Sequence, residues 1–171
     1  MGFSLLHPVI LLISLTAIAT KALPDCVRPP PPSVPTIEDC EATLSRIMDI
    51  ARPQGNAPRT WSRNPRHISG QRLPVLFSAG TNNKCEIVVD VANPRDEDVF
   101  LTSKVAEVGQ EIVNTCLLGS SRAQDTVGVE TVGPKGVVSV VLRYKAMLAQ
   151  SSGNLTDAFQ AYTGVAPEAS A

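Results

Sequence analysis

The residues able to do chemistry are few and scattered. The 171-residue chain has two histidines, and only His67 lies beyond the apolar N-terminal stretch. A nucleophile–histidine system would have to run through His67, with Ser62 or Ser69 as nearby hydroxyls, yet no Gly-x-Ser-x-Gly elbow occurs. Catalysis by a pair of histidines is excluded. Glu86 and Asp90 fall on one face of a predicted strand, an arrangement that could serve as the paired carboxylates of a glycosidase. At 4% aromatic content, however, the chain has little with which to line a sugar-binding cleft. Asp96-Glu97-Asp98 lacks the spacing and glycine of a calcium loop and reads as favourable charge before a helix N-terminus. No residue is therefore assigned a catalytic or metal-binding role, and no cofactor is expected.

A basic stretch is the better candidate for recognition. Arg52, Arg59, Arg63, Arg66, Arg72 and Lys84 occur with no acidic residue among them, and Trp61 and His67 lie inside the run. Residues 86–111 answer with seven acids and two bases. Arg59, Trp61, Arg63, Arg66, His67 and Arg72 form the expected binding surface, suited to an anionic polymer or an acidic extracellular protein. The alternative is that the two halves pair with each other. A net charge of −1 gives no general attraction to nucleic acid, so none is expected as partner.

Two features set the compartment. Residues 1–22 read as a signal peptide, with an apolar run from Val9 to Ala19 too short to span a membrane and small residues before a cut at Ala22. All four cysteines (Cys26, Cys40, Cys85 and Cys116) follow that cut, without Cys-x-x-Cys spacing, and read as two disulfides. The preferred pairing is Cys40–Cys85 with Cys26–Cys116; Cys26–Cys40 with Cys85–Cys116 is the alternative. Asn154-Leu-Thr156 is a glycosylation sequon. The expectation is a secreted, extracellular monomer with no transmembrane anchor.

Periodicity supplies the elements that must position these residues. Residues 23–35 form a proline-rich strap, followed by a single domain over 36–148 and a flexible tail over 149–171. Thr36–Ala51 predicts a helix whose apolar face carries Cys40, Leu44 and Ile47, ended by Pro53. Residues 52–72 read as irregular, with at most a short strand near Trp61. Strands are predicted over 72–79 and 84–92, the latter half-buried with Glu86, Val88 and Asp90 facing solvent. A second helix over 103–117, capped by Thr102 or Ser103, precedes strands over 126–132 and 136–145 joined at Gly133-Pro-Lys-Gly136. The expected fold is α+β: a two-layer sandwich, with an antiparallel sheet of about four strands covered on one face by two helices.

Several of these residues recur together as a pattern: Asp39-Cys40 with Leu44 and Ile47, Trp61-Ser-Arg63, Leu73-Pro74, Cys85-Glu-Ile-Val-Val-Asp90, Ile112-Val-x-x-Cys116 and Gly133-Pro-Lys-Gly-Val-Val. Over residues 36–142 the chain resembles small cysteine-containing secreted proteins of filamentous fungi, a group of candidate effectors. That resemblance implies secretion and a compact α+β domain; it transfers no active-site residue. The expected function is that of a non-enzymatic interaction protein. A small secreted hydrolase acting on a cell-wall or host polymer, and a toxin-like or antimicrobial protein, are the rivals.

Overall fold

The computed structural model describes residues 23–27, 35–55, 57–65, 70–119 and 127–145. The expected signal peptide, the tail, Asn154, Arg66 and His67 lie outside them.

Helix α1 (Ile37–Ala51) begins where Thr36 accepts a hydrogen bond from the Asp39 amide, and it buries Cys40, Leu44, Ile47 and Ala51 on one side. A 3-10 turn over Arg52–Gln54 takes over where Pro53 stops the helix. Helix α2 (Thr102–Ile112) continues into a π turn over Val113–Leu118. Its start differs from the expected cap. Leu101 is the N-cap without a side-chain bond, and the Thr102 hydroxyl instead donates to Gln54 Oε1 at 2.6 Å.

Strands β1 (Asp25–Val27), β4 (Val75–Ser78), β5 (Cys85–Val91), β7 (Val127–Val132) and β8 (Val138–Tyr144) form an antiparallel sheet in the order β1-β7-β8-β5-β4. Strands β2 (Arg59–Ser62), β3 (Gln71–Arg72) and β6 (Glu97–Phe100) form a second sheet in the order β3-β2-β6. The four-strand expectation was thus too small. The proline-rich strap contributes β1 at one edge, and the stretch read as irregular contributes β2 and β3. Glu97 and Asp98 of the acidic triplet belong to β6 rather than to a helix entry, pairing with Ser62 and Trp61 in the ladder, and Asp96 lies just before the strand.

Both helices lie against the side of the large sheet that carries Ile87, Val89 and Val91 of β5 and Val138, Val140 and Leu142 of β8. Two disulfides tie this core. Cys40 on the buried side of α1 meets Cys85 on the helix-facing side of β5, with Cα atoms 5.0 Å apart. Cys26 of β1 meets Cys116 of the π turn. The preferred of the two pairings is the one formed. The opposite side of β5 departs from expectation: all seven residues are buried, Glu86 and Asp90 included.

Candidate functional site

Among the described residues, the members of the expected basic surface do not share one exposed face. Trp61 is only 1% exposed; its ring stacks on Phe100 at 4.9 Å, and its indole N–H donates to the Phe100 carbonyl. It is a core residue, because its strand position faces inward and burying the ring satisfies its one donor as well. Arg63 turns to the acidic half. Its Nε and Nη2 reach the two Asp90 oxygens at 3.1 and 2.7 Å, and Nη2 also donates to the Val91 carbonyl. Internal pairing therefore claims Arg63. Arg59 is partly buried and Arg72 exposed, and neither has an ion-pair partner among the described residues.

The paired carboxylates are also occupied. Glu86 Oε2 accepts from Arg143 Nε and Nη2 at 2.9 and 2.8 Å, with both side chains buried. Arg143 is the register partner of Glu86 across β5 and β8, as Val141 is of Val88 and Ser139 of Asp90. The outer side of the sheet centre therefore carries two carboxylates, each held by its own guanidinium, on either side of a Val88–Val141 contact. A buried carboxylate needs this compensation. Both carboxylates are therefore buried and ion-paired, which accounts for their place in the sheet without any catalytic role.

A third carboxylate organises a corner. Asp39 is buried and accepts backbone N–H donors from Asn82 and Lys84 at 3.3 and 3.1 Å. Burial pushes its carboxyl up, but the Lys84 amide, Thr36, the Asn82 amide and the Lys84 charge outweigh this and hold it below the ordinary 3.8. Beside it, Thr43 Oγ1 donates to the Asp39 carbonyl and accepts from the Ala79 amide. Because the folded-state pKa is depressed, the stabilisation is complete above about pH 4 and is lost as pH falls through the lower folded value. Urea midpoints for wild type and Asp39→Asn, from about pH 5 to pH 2, should converge towards the acid end. A gap that stays constant across that range would contradict this role.

No known protein family, curated protein or solved structure matches the chain. What remains is geometry. Among the described residues no helix is long and apolar enough to cross a membrane.

A shallow groove of about 500 Å³ is lined by Pro58, Phe100, Leu101, Lys104, Gly133 and Pro134. Three separate segments build it. Pro58 precedes β2, Phe100 and Leu101 join β6 to α2, and the β7–β8 turn closes the third side. Asp98, fully buried, fixes that turn by accepting from the Lys135 amide at 2.9 Å and from the Val99 amide at 2.8 Å. Lys135 Nζ then reaches the Glu97 carbonyl at 2.9 Å. The lining is almost wholly apolar, and Lys104, ion-paired with Glu107, supplies the charge at its margin. Sequence reasoning marked Gly133-Pro-Lys-Gly136 as a turn but missed the groove. The structure shows a hydrophobic residue, Leu101, at the α2 N-cap, a position that favours Ser, Thr, Asp or Asn, where the sequence pattern predicts Thr102 or Ser103.

Proposed function

We propose that the chain is a secreted, non-enzymatic interaction protein, effector-like in the sense of the fungal group it resembles. Its two-layer α+β scaffold holds the groove around Phe100 and Leu101 against an extracellular protein partner. The observation that carries this reading is the contrast between two places. The carboxylates that could catalyse are locked to Arg63 and Arg143, whereas the groove leaves apolar side chains accessible beside Lys104. Apolar concavity with one charge at the rim suits a partner that inserts an apolar side chain next to a carboxylate. A hydrolase built on Glu86 and Asp90 would have to work with both carboxylates buried and ion-paired.

Leu101→Asp tests this, because it separates binding from folding. Aspartate is among the best N-cap residues, and a cap is worth about 0.5–2 kcal/mol. That gain offsets the lost burial of a partly buried leucine, so thermal stability should change by no more than a few degrees. The same substitution places a carboxylate in an apolar lining, and capture of the extracellular partner should fall at least about tenfold, or 1.4 kcal/mol. Unchanged capture by a folded Leu101→Asp protein would remove the groove from the proposal.

A further inference from the structure

We infer that the Cys26–Cys116 bridge is a reducible latch and that β1 is a strap which a dithiol reductant releases while the rest of the domain stays folded. The two disulfides differ in where they sit. Cys40 and Cys85 are both fully enclosed, joining α1 to the central strand β5. In the other bridge only Cys116 is enclosed; Cys26 is partly exposed on a strand at the sheet edge. Thiol–disulfide exchange requires a thiolate to reach one of the two sulfurs, so access decides which bridge reacts.

Among the described residues, little else holds β1. It is three residues long and pairs with β7 alone, through Asp25, Cys26 and Val27 opposite Val129, Gly128 and Val127. Leu23 and Val27 are exposed, and of this segment only Pro24 is buried. Gly128, the register partner of Cys26, leaves no side chain between β7 and the π turn, which brings Cys116 over the ladder. The bridge joins residues 90 apart in sequence, so cutting it frees the strap from the body of the fold. The α1–β5 bridge lies elsewhere, and the apolar core on the helix side of the sheet, which includes Cys116 and has Cys26 packed at its margin, is built mostly from residues of α1, α2, β5 and β8.

The chemistry is a balanced two-electron exchange. One thiolate of the dithiol attacks Cys26 Sγ, and the Cys26–Cys116 bond breaks. Cys116 leaves as a thiolate and takes a proton. The second thiol of the reductant then displaces Cys26, which becomes a thiol as the reductant closes to its own disulfide. Release of β1 uncovers the β7 edge, whose freed backbone groups can accept an extended strand.

The test is graded reduction of the full-length protein with dithiothreitol under native conditions, with alkylation and mass mapping at each concentration. Cys26 and Cys116 should be labelled at a reductant concentration at least tenfold below that which labels Cys40 and Cys85. In that half-reduced state, hydrogen exchange over residues 127–129 should rise at least tenfold while β5 and β8 stay protected. Simultaneous labelling of all four cysteines, earlier labelling of Cys40 and Cys85, or unchanged exchange over β7 would each overturn the latch. Cys26→Ala with Cys116→Ala gives a check that needs no reductant. The variant should fold, keep the Cys40–Cys85 bridge and show the same β7 exposure; failure to fold would also overturn the inference, since a strap must be dispensable to the domain.

Discussion

Replacing Arg143 with methionine should cost about 3–5 kcal/mol of stability, because it leaves the Glu86 carboxylate buried without its guanidinium. That is a large share of the roughly 5–15 kcal/mol by which a domain of this size is stable. The companion result is the more informative one. Replacing both partners together, Glu86→Leu with Arg143→Met, should restore most of the loss and return stability to wild type or up to about 4 kcal/mol above it. The pair is thus expensive to break and cheap to exchange. Urea unfolding of the two single variants and the double variant measures the coupling directly. Additive losses would mean that the two side chains do not act as a pair. None of the three variants should show hydrolytic activity.

The second large effect is expected at the β7–β8 turn, where two glycines share a left-handed backbone but not the same surroundings. Gly133 has φ +89 and Gly136 φ +64. A Cβ on Gly133 would lie 2.7 Å from Phe100 Cδ1 and collide with the Asp98 carboxylate, whereas one on Gly136 meets only Thr131 Oγ1 at 3.8 Å. Gly133→Ala therefore combines backbone strain of about 1–3 kcal/mol with overpacking of about 1–3 kcal/mol. Gly136→Ala carries only the first. The Gly133 variant should melt at least about 8 °C below wild type, and the Gly136 variant should lose roughly half of that or less. Equal losses would show that the Asp98–Phe100 contact does not constrain the turn. The collision also bears on function, since Gly133 lines the groove and its displacement would move Pro134 with it.

How far the sequence foretold this molecule depended on whether the signal was local. Helix α1, strand β5 and the β7–β8 hairpin were legible because a buried face repeats within each of them. The same logic misplaced Glu86 and Asp90. Alternation sends them to the other side of β5, but nothing local says that two arginines, one in β8 and one beyond β2, make that side an interior too. Strand β2 was legible only as a possible short strand near Trp61, and β6 not at all, for a related reason. Arg-Thr-Trp-Ser and Glu-Asp-Val-Phe are short and polar, and what holds them is a Trp61–Phe100 stack between residues 39 apart. The proline-rich strap hid β1, whose three residues are positioned by a bridge to the far end of the second helix. The groove was out of reach altogether, since its lining comes from residues 58, 100, 101, 104, 133 and 134.

The arrangement of the two bridges along the chain has a consequence for how the protein is made. The 40–85 loop lies wholly within the 26–116 loop, so neither closure threads the other, and either can come first. In the reduced, unfolded chain, chance encounter of two sulfurs falls off with roughly the 3/2 power of the intervening length. Cys26 and Cys40 are 14 residues apart, against 45 and 90 for the native pairs. For a flexible chain, the wrong bridge would therefore outpace the inner native one by about sixfold. Between those two cysteines, however, lie Pro29-Pro-Pro-Pro32 and Pro35. A run of prolines is stiff and extended even when unfolded, advancing about 3.1 Å per residue. It holds Cys26 and Cys40 apart during oxidation, so this spacer works against the fastest misoxidation before any tertiary contact exists.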